Sequence, residues 1–313
     1  MEVEFRETGE KVMKKIGISI GALQSLYGEK RALEICAESG FDAVDFNLKR
    51  YGRDDFPIYA DGDEAVIEHF SGIGEHAKRL GLIVSQTHGR NRIATKDPEF
   101  CKQMEWVSRM DLLATKALGA PTCVIHSITT KAFPDGDSAF MHEKNLSFFR
   151  ALAPHAEAFD VNIAFETFGD AGVNGKRVID FFGDSRELKK SFDALDSHKK
   201  VICIDTGHTN KAHAVGLPDG SPVPDVIETI RMFGKDIKVL HLNDNNGFTD
   251  QHLPPMCKME GGVKWHEVYE ALDEIGYEGV YNFELALANF GSDVENFVRF
   301  LGGYLRRSVE GRL

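Results

Sequence analysis

The sequence predicts a single closed (β/α)8 barrel of the α/β class, and three observations support this prediction. Short runs rich in β-branched and aliphatic residues alternate with longer amphipathic stretches, as in βαβ units that share a parallel sheet. Eight strand–helix pairs follow one another, the number that closes such a barrel. No Pro- or Ser-rich linker separates them, so we expect one domain at residues 16–313 behind an N-terminal extension at 1–15. An open, doubly wound sheet is the alternative.

The predicted strands are short apolar runs such as IGISI and VICID. They lie at 16–20, 42–47, 82–88, 122–126, 161–167, 201–205, 237–242 and 279–284. The predicted helices lie at 28–39, 64–80, 98–118, 138–158, 185–196, 224–233, 265–276 and 292–306. A glycine suited to a C-terminal cap follows four of these helices. These glycines are Gly40, Gly81, Gly119 and Gly276.

The composition excludes several classes of protein. The 313 residues include 37 Lys+Arg and 49 Asp+Glu, and this net charge of −12 disfavours nucleic acid as a partner. An apolar content of 42% excludes general disorder. No apolar run reaches the ~18–20 residues of a membrane span, and the charged N-terminus lacks the apolar segment of a secretory signal. Five cysteines without a C-x-x-C pair predict a reducing, cytoplasmic environment.

Polar residues end six of the predicted strands, at the edge where the active site of such a barrel forms. In chain order they are His88, His126, Glu166, Asp205, His241 and Glu284, and His208 follows Asp205 by three positions. Period-two alternation places mostly small or apolar residues beneath them inside the barrel. These residues include Val124, Ala164, Val201, Cys203, Ile237 and Val239. The pattern predicts a packed barrel with a polar mouth.

The last four of these strand ends together predict a metal site. A single carboxylate at a strand end is often a helix cap, and a single histidine is often a core residue. Here, however, Glu166, Asp205, His241 and Glu284 end consecutive strands and would point to one axis. Three carboxylates in one place raise each other's pKa unless a cation neutralises them. We therefore expect one divalent ion on these four residues, Mn²⁺ or Mg²⁺, with Zn²⁺ or Co²⁺ as alternatives.

Four sequence motifs at these positions resemble those of the xylose-isomerase-like TIM barrels. The motifs are FET, IDTGH, HLNDN followed by DQHLPP, and FEL. This superfamily contains sugar isomerases and epimerases and the endonuclease IV type of apurinic endonuclease. The resemblance implies the same four metal ligands and a substrate contact for His208. It also implies that Glu166 and Glu284 act as paired acid/base groups on opposite faces of a bound ketose.

Two departures from known branches of the superfamily bear on the substrate. Ketose 3-epimerases carry a second Glu and an Arg at the places of Gly172 and Gly247, so that specific pattern is absent. Conversely, the chain matches all nine ligand positions of the trinuclear endonuclease IV site. These are His88, His126, Glu166, Asp205, His208, His241, Asp250, His252 and Glu284. The acidic balance opposes DNA binding, in which Lys and Arg contacts to phosphates supply most of the affinity.

The remaining candidates are expected to contact substrate. They are His88, His126, His208, Asp250 and His252. The last two flank Gln251 beside a Leu-Pro-Pro segment that would stiffen the loop. The alternative is a loop that is held by hydrogen bonds of its own Asp and His side chains. Arg90 and Arg92 are expected either to clamp an anionic group or to lie in a solvated loop.

These observations predict a metal-dependent isomerase or epimerase of a sugar or polyol. Glu166 or Glu284 would remove a proton from the carbon next to a carbonyl, and the other would return one. A dehydratase of the same architecture, a trinuclear phosphodiesterase and a non-catalytic sugar-binding barrel are the alternatives. We expect no nucleic-acid or membrane partner, and the sequence leaves homo-oligomerisation open.

Overall fold

The computed structural model describes residues 13–53, 56–89, 93–257 and 259–313, and it confirms the predicted barrel. Arg90 and Arg92, and most of the predicted N-terminal extension, lie outside the described residues. The strands are β1 (Ile16–Ser19), β2 (Ala43–Asn47), β3 (Ile83–His88), β4 (Thr122–Ile125), β5 (Asn162–Glu166), β6 (Asp170–Val173), β7 (Lys176–Ile179), β8 (Lys200–Asp205), β9 (Ile237–His241) and β10 (Tyr281–Phe283).

Eight of these strands form one parallel sheet in the order β10-β1-β2-β3-β4-β5-β8-β9. A parallel bridge between Leu242 and Phe283, just beyond β9, brings the two ends of the sheet together. The backbone N–H of Leu242 donates to the carbonyl oxygen of Asn282 at 2.8 Å, which extends this contact. The sheet thus closes into a ring whose C-terminal strand ends face one mouth.

The helices lie outside the ring of strands. They are α1 (Gly21–Glu38), α2 (Asp63–Arg79), α3 (Pro98–Ala117), α4 (Ser138–Phe159), α5 (Ser185–Ala194), α6 (Thr206–Val215), α7 (Val226–Phe233), α8 (Trp265–Glu274) and α9 (Val294–Val309). Short 3-10 turns occupy Phe181–Gly183, Gly234–Asp236 and Leu287–Asp293. The four predicted capping glycines all have positive φ, as the cap requires. Among the described residues, no helix combines the length and the apolar character needed to cross a bilayer.

The structure adds three features that the sequence pattern did not predict. An antiparallel hairpin, β6–β7, lies between β5 and α5. Helix α6 follows directly on β8, where no helix was predicted. The α1 range begins at Gly21 rather than at residue 28 because a further helical segment precedes the predicted helix, and the two segments meet at a kink at Gly28, whose φ is 77°. All three features lie at or near the C-terminal mouth of the barrel.

The core inside the barrel is small, and it matches the predicted alternation at five positions. Val124, Ala164, Val201, Cys203 and Val239 form this inner cluster. The prediction for Ile237 was wrong, because Ile237 belongs to the larger core between strands and helices. The reason is a register shift: Ile202 pairs with Ile237 and the next residue, Cys203, pairs with Val239. The shift turns Ile237 to the outer face.

Replacing Gly302 in α9 by Ala should destabilise the protein. The added Cβ would collide with the backbone carbonyl oxygen of Ser39 at the end of α1. Overpacking against a fixed backbone costs about 1–3 kcal/mol. Gly303 is the matched control, since it is exposed in the same helix and its Cβ would meet only Arg307 Nη1, at 3.5 Å.

We expect Gly303→Ala to raise the free energy of unfolding by up to about 1 kcal/mol, because Ala favours an exposed helix over Gly. Chemical denaturation of both variants and the parent chain measures the two changes. Equal changes in the two variants would contradict the packing of α9 against α1.

Candidate functional site

The strand-end residues predicted from the sequence meet at the mouth of the barrel. His88, Glu166, Asp205 and His241 are the last residues of β3, β5, β8 and β9, and His126 and Glu284 each lie one position beyond a strand. Glu166 is 1% exposed, and Asp205 and His241 are fully buried. Period-two alternation directs these side chains into the barrel, as it does the small residues of the inner cluster. They lie above that cluster because they stand at the C-terminal ends of the strands.

An inner group consists of His88, Glu166, His241 and Glu284, whose ligand atoms lie within 4.8 Å of one another. His241 Nδ1 is 2.8 Å from Glu166 Oε1 and 3.4 Å from Glu284 Oε2, so one imidazole faces both carboxylates. His88 Nε2 lies 3.7 Å from Glu284 Oε1. The rings of His88 and His241 stack with their centroids 5.1 Å apart.

His126 joins the inner group at Glu166. Its Nε2 is 2.7 Å from Glu166 Oε2 and 3.3 Å from His88 Nε2. Although the distance between His126 Nε2 and Glu166 Oε2 is short, Glu166 Oε2 is buried from solvent and has no hydrogen bond of good geometry to any described residue. A buried carboxylate oxygen beside an imidazole nitrogen, without such a hydrogen bond, is the arrangement expected where both atoms face a cation.

An outer group consists of Asp205, His208 and His252. Asp205 caps α6 by accepting a 2.7 Å hydrogen bond from the backbone N–H of His208, and its other oxygen lies 3.4 Å from His208 Nδ1. Asp250 lies between the two imidazoles, with Oδ2 3.7 Å from His208 Nε2 and 3.6 Å from His252 Nε2. His252 Nδ1 donates to the carbonyl oxygen of Glu284 at 2.9 Å, which ties the outer group to the inner one.

The predicted metal ligands therefore fall in two adjacent groups. Glu166, His241 and Glu284 lie in the inner group together with His88. Asp205 lies in the outer group, and His208 connects them, with Nδ1 3.8 Å from Glu166 Oε1. Two carboxylates and two imidazoles in the inner group form a donor set that suits a divalent ion of the first transition row. The residues present thus fit a divalent metal ion, and the predicted four-residue ligand set stays a prediction.

Burial and close neighbours together determine the charge state of each residue in the inner group. Burial would raise the pKa values of Glu166 and Glu284. The imidazoles of His126 and His241 lower the pKa of Glu166, and those of His241 and His88 lower the pKa of Glu284, in both cases well below the usual range. Burial would lower the pKa of His241, but neighbouring groups that include both glutamates raise it well above normal. Burial also lowers the pKa of His88. Both glutamates are therefore anionic at neutral pH, and His88 is neutral.

Two residues beneath the mouth were missed by the sequence analysis. Asp45 of β2 is fully buried, with Oδ2 3.2 Å from His241 Nε2 and 2.6 Å from Ser19 Oγ. This carboxylate orients the imidazole from the side opposite Glu166, as outer partners of metal-binding histidines do. Asn243 donates to both carboxylate oxygens of Asp205, at 3.1 and 3.2 Å. A side chain at Gly207 would collide with Asn243, which explains the glycine in the DTGH motif.

A cavity of about 420 Å³ opens above both groups. Its walls include the predicted substrate-contacting residues together with others that the sequence analysis did not identify. The predicted ones are His88, His126, His208, Asp250 and His252, and the additional ones include Lys49, Phe168, Asp170 and Lys211. Asp45 shares the strand alternation and could have been found from it. Lys211 lies one helical turn after His208 on α6, a helix that the sequence pattern did not predict. A larger cavity of about 680 Å³ beside Trp265 contains none of the strand-end residues.

The chain matches known proteins over most of its length. The family described as Xylose isomerase-like TIM barrel matches residues 33–297. A curated relative, the uncharacterized protein MJ1311 of Methanocaldococcus jannaschii, is 30% identical over 146 residues, 45% of this chain and 43% of that relative. The chain thus aligns with less than half the length of this relative.

Two solved structures illustrate the similarity of the fold. A D-tagatose 3-epimerase-like protein superposes with a TM-score of 0.69 at 20% identity, over 96% of this chain and 100% of its own. The IolI protein with a bound zinc atom superposes with a TM-score of 0.66 at 16% identity, over 95% of this chain and 96% of its own. At these identities the likeness concerns the barrel.

Binding of a divalent ion to the metal-free protein should release protons at neutral pH. His241 is the imidazole of the predicted ligand set, and although burial alone would lower its pKa, neighbouring groups raise it well above normal. Against the same effect of burial, the carboxylates around His208 and His252, next to the ligand Asp205, raise their pKa values to about 10 and about 9. A metal ion binds only the neutral imidazole, so protons compete with it below those values. The affinity should therefore rise between about pH 7 and 9.

Titration calorimetry with Mn²⁺ in buffers of different ionisation enthalpy measures the number of released protons directly. Proton release at pH 7 that decreases as the pH approaches 9 is the expected result. An affinity independent of pH, without proton release, would contradict these charge states.

Proposed function

The chain belongs to the xylose isomerase-like TIM barrel family, and from this premise we propose that it is a divalent-metal-dependent isomerase or epimerase of a sugar or polyol. One observation carries the proposal: Glu166 and Glu284 approach the same atom, His241 Nδ1, at 2.8 and 3.4 Å beneath a polar cavity. Two ionised carboxylates lie at one point, with Glu284 on the wall of a cavity of substrate size and Glu166 buried 2.7 Å from the cavity-lining His126. This arrangement suits proton transfer at carbon.

Glu166, Asp205, His241 and Glu284 would hold the ion, with His88 and His126 next to it. Mn²⁺ or Mg²⁺ suits the oxygen donors, and Zn²⁺ or Co²⁺ suits the imidazoles. The bound zinc in the IolI structure is a precedent for a metal in this fold. When bound, the ion polarises the substrate carbonyl as a Lewis acid, which lowers the barrier to removal of the neighbouring proton.

The two glutamates have the charge state that this chemistry requires. Because their pKa values are lowered, both are ionised at neutral pH, the form in which a carboxylate accepts a proton. One would take the proton from the carbon beside the carbonyl. The other would take up a proton from solvent and deliver it to the opposite face of that carbon to give the epimer, or to the neighbouring carbon to give the isomer, and the first would then lose its proton to solvent.

The remaining residues of the cavity would orient the substrate. His88 and His126 are neutral because burial lowers their pKa values. Since His88 Nδ1 donates its proton to the carbonyl oxygen of Gly89 at 3.2 Å, His88 Nε2 is an acceptor nitrogen for a sugar hydroxyl. His208, Asp250 and His252 form a hydrogen-bonding wall on the other side. The likeness to a D-tagatose 3-epimerase-like protein supports a ketose as the substrate type. Expulsion of a β-hydroxyl from the same enolate would make the protein a dehydratase instead.

Glu166→Gln and Glu284→Gln should each reduce turnover by about 10²–10⁴-fold, the contribution typical of a general acid or base. The amide keeps the shape of the side chain but cannot accept the proton. In heavy water, a panel of ketoses and inososes incubated with the parent protein should gain deuterium at one carbon, and both variants should lose this exchange. Lys102→Met, on the exposed face of α3, is the control and should leave the exchange unchanged.

A substrate that is converted with its label moving within the molecule, and without solvent exchange, would show hydride transfer and rule out the two-glutamate mechanism. Absence of binding by every sugar in the panel, in metal-loaded protein, would count against the isomerase class.

A trinuclear phosphodiesterase of the endonuclease IV type is the second candidate, and the outer group favours it. Nine positions match that site, and Asp250 lies between His208 and His252 where a further ion would bind. The net charge of −12 opposes it, because binding to DNA depends on cationic contacts to phosphates.

We expect no nicking of duplex DNA that carries an abasic site at physiological salt. The assay uses the metal-loaded protein beside Glu284→Gln. Efficient cleavage by the parent chain that this variant loses would reverse the ranking of the two candidates.

A further inference from the structure

Two lysines on the wall of the 420 Å³ cavity indicate the charge of its ligand. We propose that the substrate carries an anionic group, a phosphate or a carboxylate, which Lys211 binds with Lys49 nearby. This proposal adds detail to the proposed function. It depends on that function only because it takes this cavity as the substrate site. It names a class of substrate, an acidic sugar, rather than a neutral one.

Helix α6 places Lys211 at the cavity. The helix begins at Thr206, directly after Asp205, and residues three apart lie on the same helix face. His208 and Lys211 therefore both face the cavity, which they both line. Lys211 is only 8% exposed, although its ammonium group is strongly hydrated in water. Keeping such a group in a cavity wall is costly unless anionic partners compensate for the lost hydration.

The carboxylates near Lys211 have other cationic partners. Its Nζ lies 3.2 Å from Asp170 Oδ1 and 3.4 Å from Asp250 Oδ1. Asp170 also accepts two hydrogen bonds from Arg177, at 2.7 and 3.3 Å, and Asp250 lies between the imidazoles of the outer group. An ammonium group has three donors, and these two contacts account for two of them. Lys211 Nζ thus lies on the cavity wall beside carboxylates that also face Arg177 and the imidazoles, so it can share its charge with an anionic ligand.

Lys49 adds a second positive charge to the same cavity. It follows β2, whereas Lys211 lies on α6, so the two lysines reach the cavity from different elements. Besides burial, the charge of Lys49 contributes to lowering the pKa of His88 and acts on His126. Its ammonium group is therefore close to the imidazoles that would contact the substrate. Two ammonium groups around a small polar cavity match a phosphate or carboxylate better than uncharged hydroxyls.

Anion binding to the metal-loaded protein tests the proposal, with inorganic phosphate and acetate as probes for the two sources of charge. Titration calorimetry should detect saturable binding of at least one probe. Lys211→Met should weaken this binding by about tenfold or more, the loss expected for one charge-assisted contact, and Lys211→Arg should retain most of it. Lys102→Met on α3 is the matched control and should bind as the parent chain does. The probe that binds more tightly identifies the source.

Three results would overturn the proposal: no saturable binding of either probe, equal binding by the parent chain and Lys211→Met, or equal loss in Lys102→Met. Equal binding by the parent chain and Lys211→Met would mean that the metal ion alone holds the anion. If Lys211→Met does not fold, as judged by circular dichroism, Lys49→Met is measured in its place with the same expected loss. Because binding is measured without turnover, failure here is separate from absence of deuterium exchange, which would count against the isomerase.

Discussion

The structure of the barrel mouth depends on the electrostatic cost of burying several carboxylates together. Asp45, Glu166 and Asp205 are almost wholly inaccessible, and Glu284 lies at their edge. Like charges at such short range oppose one another, and burial adds to the cost of each. His241 reduces this cost, since it faces Glu166 and Glu284 with one nitrogen and Asp45 with the other. A divalent cation among these groups would offset the remaining charge.

The barrel architecture supports this concentration of charged residues at its mouth. Strands β4, β5, β8 and β9 contribute small apolar residues inside the barrel and polar residues at or just beyond their ends, so a narrow apolar cluster supports a polar layer. The outer group lies on the loops and on α6, where Asp205 both caps the helix and faces His208. One carboxylate thus positions the helix that carries His208 and Lys211 to the cavity. The same short stretch of chain serves the candidate metal site and the candidate anion site.

Most of the strand order and the set of strand-end residues could be predicted, because period-two alternation is a local property of the sequence. Helix α6 was missed because its polar sequence shows no apolar stripe, and its first turn is fixed by the Asp205 side chain. The hairpin β6–β7 was missed because tertiary contacts hold it: Arg177 binds Asp170 within the hairpin and the carbonyl oxygen of Gly247 across the mouth. The division of ligands into two groups depends on side-chain positions that no sequence pattern encodes.

We propose that the carboxylates of the barrel mouth hold a divalent cation. Crystals of the purified protein, measured at wavelengths on both sides of the absorption edges of manganese and zinc, locate and identify such an ion by its anomalous scattering. We expect an anomalous peak within coordination distance of Glu166, His241 and Glu284, and we expect this peak to be lost in crystals of Asp205→Asn or His241→Ala. Crystals grown with Mn²⁺ that show no ion at this mouth, or an ion that both variants retain at full occupancy, would contradict it.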